Sequence, residues 1–110
     1  MTVGNLIDSC GFEPLNVASP DREISGAYSG DLLSWVMGRA SEDNAWITIM
    51  SNINVIAVAT LVDVSCVIFA EGVTPDEETR KVAKEKSVNL IVSPFNAYET
   101  AVKISGYINE

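Results

Sequence analysis

Ala45-Trp46-Ile47-Thr48-Ile49 is the stretch whose reading fixes the fold class. It is short, apolar and rich in β-branched residues, and two runs of the same kind follow it: Val64-Ser65-Cys66-Val67-Ile68-Phe69 and Asn89-Leu90-Ile91-Val92. Segments of helical period separate them. Runs that are apolar on both faces, too short for buried helices and interleaved with helical segments are the pattern of repeated strand-helix units in a parallel sheet. Strands are expected at residues 46–49, 67–70 and 89–92. The fold class that follows is α/β, with an open, mainly parallel sheet of about four to five strands and covering helices.

Working outward, the segment after the first strand, Asn54-Val55-Ile56-Ala57-Val58-Ala59-Thr60-Leu61-Val62, is apolar almost all round. Such a helix must be covered by the sheet and its neighbours or by a second subunit, so a homodimer is expected. The next helix opens at Thr74-Pro75-Asp76-Glu77, with Thr74 as cap, Pro75 at the first helical position and Glu77 closing a capping box. Val82, Ala83 and Val88 give it a thin apolar stripe. The last helix starts at Ser93-Pro94 or at Asn96, where Glu99 completes a second capping-box spacing, and runs towards Ser105. Upstream, a helix over Val3–Cys10 ends at Gly11, and Pro14 forbids its continuation. Two short strands are expected at residues 15–18 and 23–28, then a helix over 30–39 capped by Ser29 that buries Leu32, Leu33, Val36 and Met37. Trp35 and Trp46 both read as packing residues. No repeat, low-complexity tract or linker interrupts the chain, so residues 1–110 are expected to form a single domain.

The composition narrows the function. With 47% hydrophobic and 20% charged residues the chain has the makings of a folded core. The net charge of -8 opposes nucleic acid and anionic membranes as partners. Arg80, Lys81, Lys84 and Lys86 alternate with Glu77, Glu78 and Glu85, the pattern of a solvated helix face rather than a basic patch. Cys10 and Cys66 lie far apart, and Cys66 sits in an apolar run, which suits reduced thiols in a cytoplasmic protein. No basic leader and no apolar run of spanning length is present, so neither secretion nor membrane insertion is expected.

Catalytic signatures are missing. With no histidine there is no imidazole base or imidazole metal ligand, and neither a phosphate-binding Gly-Lys-Ser/Thr loop nor a Gly-x-Ser-x-Gly elbow occurs. The expectation is a binding or regulatory module rather than an enzyme, with no cofactor and no metal. In an open parallel sheet, ligands sit beyond the carboxyl ends of the strands. The residues that fall there are Thr48, Ser51, Asn52 and Asn54 after the first strand, Glu71 and Gly72 after the second, and Ser93 after the third. Gly30 and Asp31 join them from the strand-to-helix turn Gly26-Ala27-Tyr28-Ser29-Gly30-Asp31. Together they suit a small polar or phosphorylated ligand, a nucleotide among them. Capping and turn formation select the same letters, so each also has a purely structural reading.

With those residues placed, the chain resembles the DRTGG-domain family, the small fold also found as the N-terminal domain of HPr kinase/phosphorylase. The resemblance spans nearly the whole chain and rests on 26–34, on Ala45-Trp46-Ile47-Thr48-Ile49, on Asn54-Val55-Ile56-Ala57-Val58-Ala59 and on Ala70-Glu71-Gly72 before Thr74-Pro75-Asp76. It implies a free-standing α/β domain that accompanies signalling or metabolic enzymes and binds ligands or mediates association. It does not imply kinase activity, because the kinase site belongs to a separate domain with a phosphate-binding loop. The Asp-Arg-Thr-Gly-Gly string itself is missing here. The acidic surface and the apolar helix over 54–62 support a second reading, a protein-interaction adaptor accessory to a metabolic, signalling or hydrogenase system; the hydrogenase link is what resemblance to free-standing relatives associated with iron-hydrogenase systems implies.

Overall fold

The computed structural model describes residues 1–108, which form five helices and five strands. The order is α1 (Val3–Cys10), β1 (Glu13–Asn16), β2 (Gly26–Ser29), α2 (Leu33–Arg39), β3 (Asn44–Thr48), α3 (Asn54–Val62), β4 (Cys66–Phe69), α4 (Glu77–Glu85), β5 (Leu90–Val92) and α5 (Ala97–Ile108). One sheet runs β1-β5-β4-β3-β2. β2, β3, β4 and β5 are parallel, and β1 alone is antiparallel, against β5.

Alternation along each strand builds two cores. Trp46, Val67, Phe69, Leu90 and Val92 point to one face, where they pack with Val36 of α2, Val55, Ile56, Val58 and Ala59 of α3 and Ala83 of α4. Ala45, Ile47, Cys66, Ile68 and Ile91 point to the other and meet Val3 and Leu6 of α1 and Ile104 of α5. Both faces being covered is why these strands read as continuous apolar runs. The four buried residues of α3 are held within the chain, whereas Ala57, Thr60 and Leu61 remain exposed.

Local chemistry sets most boundaries. Thr2 caps α1 in a reciprocal capping box with Asn5, and Gly11 closes the helix in the left-handed conformation. Asn96 caps α5 by accepting from the Glu99 amide at 2.8 Å, which decides between the two expected starts. Three expectations fail. The cap of α4 is Asp76 rather than Thr74; it accepts from the Thr79 amide, and that hydrogen bond holds its carboxyl below the usual range. Ser29 stays in β2, and α2 begins only at Leu33 with no side-chain cap, because Asp31 is engaged elsewhere. Leu32, Trp35 and Met37 are 59%, 53% and 46% exposed instead of buried, and the Arg39 guanidinium stacks 4.0 Å from the Trp35 ring centroid. A seven-residue helix shows the sheet little more than one turn's face, here Val36 with Leu33 partly buried.

The amino edge of the sheet is stitched by polar side chains. Arg22 donates to the carboxylates of Asp43 and Asp63, both in left-handed conformation, and to the Asp63 carbonyl. Burial alone would lower the Arg22 pKa, but these acceptors raise it. Ser65 donates to the carbonyls of Glu23 and Asp43, and buried Asn89 bonds both the amide and the carbonyl of Ser19 and the carbonyl of Ser65. This edge leaves few free groups for a ligand.

Candidate functional site

Four parallel strands bring the turns that follow them to one side, the carboxyl edge of the sheet. All the residues expected there from sequence are there, in three neighbouring groups. After β2, the Asp31 carboxylate accepts from the Thr48 hydroxyl at 2.8 Å and from the Ile49 amide at 2.9 Å. The Gly30 carbonyl accepts from the Trp46 indole N–H at 2.9 Å, and a Cβ on Gly30 would come within 2.9 Å of the Tyr28 ring. These contacts lock the β2–α2 turn onto β3.

After β3, the Asn52 carboxamide accepts from the Asn54 amide at 2.9 Å and its carbonyl from Val55, so the first turn of α3 is capped from within the loop. Among the described residues the Ser51 hydroxyl has no protein partner. After β4, Glu71 and Gly72 are both left-handed, with φ of 61° and 68°. Their amides donate to the carbonyls of Phe95 and Ser93, tying this tip to the β5–α5 loop. The buried Ser93 hydroxyl pairs with Thr100 at 2.7 Å and accepts from the Phe95 amide.

The left-handed pair yields a prediction of opposite signs. A side chain in this conformation costs roughly 1 kcal/mol relative to glycine. Glu71→Gly is therefore expected to stabilise the chain by up to about 1 kcal/mol and Gly72→Ala to destabilise it by a similar amount. Urea unfolding of the two variants measures this, and equal signs would contradict the assigned backbone.

Asp31, Thr48, Asn52 and Ser93 thus spend much of their hydrogen-bonding capacity on the loops themselves, while Ser51 is half-buried and Glu71 exposed. The concavity begins at Ile53 and Asn54, at the start of α3. A groove of ≈ 370 Å³ runs between α3 and α4, lined by Ile53, Asn54, Ile56, Ala57, Thr60, Val82 and Lys86. It is mainly apolar, with one cation and two polar side chains. Asn54 belongs to both the expected set and this lining. The rest was missed because Ile56 and Val82 read as core and Lys86 as a solvated charge. A signal existed nonetheless: Ala57 and Thr60 are three apart on α3, small residues on one helix face that leave a hollow.

Among the described residues no group of three or more His, Cys, Asp or Glu side chains is placed to hold a metal ion. No described helix is long and apolar enough to cross a membrane. Cys66 is fully buried, which pushes its thiol up to about 12. Cys10 is partly buried and raised for the same reason, with Lys103 opposing. Neither is an activated nucleophile.

A family model described as the DRTGG domain matches residues 32–107. The chain also matches the crystal structure of the CBS and DRTGG domains of the regulatory region of Clostridium perfringens pyrophosphatase, complexed with its activator, diadenosine tetraphosphate. The TM-score is 0.71 at 19% identity, covering 94% of this chain and 45% of that one, so the likeness is one of fold and spans less than half of that protein region. No curated protein sequence matches the chain significantly.

Proposed function

The chain belongs to the DRTGG-domain family, and from that premise we propose that it is a non-catalytic cytoplasmic regulatory module that binds a small polar or phosphorylated ligand, a nucleotide first of all, and works as a homodimer. The observation that carries the reading is the α3–α4 groove, whose lining includes Ile53 and Asn54 at the start of α3, directly after Ser51-Asn52 in the chain. Ile53, Ile56, Ala57 and Val82 offer an apolar floor for a nucleobase-like body. Lys86 at the rim supplies the charge that a phosphate needs, and Asn54 and Thr60 supply hydrogen bonds. Ser51 and Asn52 extend the polar end. Gly30, Asp31, Thr48, Gly72 and Ser93 hold the neighbouring loops in place through their hydrogen bonds, and Glu71 is exposed beside them. The nucleotide activator carried by the structurally similar regulatory region is the reason to try dinucleotides and adenine nucleotides first.

A thermal-shift panel of mononucleotides and dinucleotide polyphosphates tests this. A ligand at 100 times its dissociation constant adds about 2.7 kcal/mol, a rise in Tm on the order of 10 °C for a chain of this size. Ala57→Glu, which places a carboxylate in the groove from an exposed position, is expected to leave the unliganded Tm within about 1 °C and to abolish the shift. No shift across the panel, or one unchanged in Ala57→Glu, contradicts the reading.

A further inference from the structure

The two edges of the sheet are built differently. β1 carries Pro14, which has no N–H to offer, an exposed Glu13 and an irregularity between Pro14 and Asn16, the devices by which sheet edges avoid pairing with other chains. β2 carries none of them. Gly26-Ala27-Tyr28-Ser29 is uncharged, free of proline and in unbroken register with β3 from Gly26↔Asn44 to Ser29↔Ile47. Among the described residues no strand pairs with its outer side. The N-terminal segment approaches, through the Thr2↔Glu23 bridge and the Ile24 amide on the Met1 carbonyl, but those contacts stop short of β2.

Apolar surface lies next to this open edge. Val36 and Leu33 of α2 pack in the same core cluster as Trp46 of β3 and Tyr28 of β2, and α2 with its leading residue exposes Leu32, Trp35 and Met37. The surface is also unusual in charge. In a chain of net charge -8, α2 has no carboxylate and one cation, Arg39, stacked on Trp35.

We propose that the β2 edge together with the exposed face of α2 is a self-association surface, and that its partner is the β2 edge of a second copy, paired antiparallel about a two-fold axis. The proposal rests on the homodimer reading above and gives it an interface away from α3, whose main apolar residues are buried within the chain. Charge selects the occupant: two strongly acidic chains approach each other at least cost where each is free of carboxylates, and two uncharged strands place no like charges opposite one another. Geometry agrees. A four-residue edge pairs only marginally by itself, and an isolated peptide strand would leave Leu32, Trp35 and Met37 in water. A second copy brings its own α2 to the same height, and the two sheets become one of ten strands.

Sedimentation equilibrium of the full chain, with Trp fluorescence on the same samples, tests the surface. Wild type is expected to be dimeric at micromolar concentration, with Trp35 emission shifting to the red on dilution while buried Trp46 contributes a constant background. Ala27→Lys and Trp35→Glu change exposed positions, and each is expected to weaken dimerisation by about a hundredfold. Leu61→Glu on the exposed side of α3 is expected to leave it unchanged. Far-UV circular dichroism identifies any variant that fails to fold, and the Trp35 shift in wild type reads the surface without a substitution. A monomeric wild type overturns the homodimer reading itself. A dimer that survives both β2–α2 variants, yields to Leu61→Glu, or dissociates with no change in Trp35 emission keeps that reading and overturns this interface.

Discussion

Asn89→Leu is expected to lower stability by about 3 kcal/mol, seen as a fall in urea midpoint and a drop in Tm on the order of 10 °C. The side chain is buried at the start of β5 and accepts from the Ser19 amide at 3.0 Å while donating to the Ser19 carbonyl at 2.9 Å and the Ser65 carbonyl at 3.0 Å. Leucine keeps the branched outline and is larger, so no cavity opens; the loss is that of the Ser19 amide and the Ser65 carbonyl left without partners, while the Ser19 carbonyl keeps only its bond from the Arg22 amide at 3.2 Å. Each such orphan costs roughly 1–3 kcal/mol. The network also ties the connection before β2 to β4 and β5, contacts across 70 and 24 residues of chain that hold the N-terminal third onto the parallel sheet. A loss under about 1 kcal/mol would mean that the amino edge is not held as described.

Alkaline pH is expected to destabilise the chain through Cys66. Its thiol is fully buried, and desolvation pushes it from 9.0 to about 12, with Arg22 opposing weakly. Above pH 9 the unfolded chain releases this proton while the folded chain keeps it, so the unfolded state binds fewer protons and stability falls as pH rises. The contribution is complete below pH 9 and is lost progressively up to about pH 12. The slope for one proton is about 1.4 kcal/mol per pH unit, which gives about 2.7 kcal/mol by pH 11. Cys66→Ala removes this group and leaves the tyrosines and lysines common to both proteins. Urea unfolding at pH 8 through 11 is expected to show wild type losing stability faster than the variant by that slope. Parallel curves would place the thiol in water rather than between β4 and the α1–α5 layer.

The parallel strands were legible because both faces are covered. Ala45-Trp46-Ile47-Thr48, Cys66-Val67-Ile68-Phe69 and Leu90-Ile91-Val92 have no polar side to alternate with, and a buried apolar run bounded by helices has few other uses. β1 lies two residues earlier than expected, and β2 starts three residues later and ends one later, since edge strands bury less and their sequences carry turn residues instead of periodicity. α2 was misread on its faces because LSWVMGR is apolar on nearly every side and letters alone do not say which turn meets the sheet. The carboxyl-edge loops were also legible, as three parallel crossovers oblige them to gather there. Their hydrogen bonds were not: whether Asp31 faces a ligand or reaches Thr48 and Ile49 depends on the register of β2 against β3, which sequence does not encode locally. The α3–α4 groove needed the distance between two helices, a tertiary quantity that Ala57 and Thr60 only hint at.

Backbone amide NMR of the ¹⁵N-labelled chain titrated with diadenosine tetraphosphate and adenine mononucleotides tests the ligand-binding reading most directly. Saturable shifts concentrated at Ser51 to Ala57 and at Val82 and Lys86 are the predicted result, with Asn89 and the other amides of the amino edge unmoved. Shifts that do not saturate, or that gather at the amino edge or around α1 and α5 instead, would contradict it.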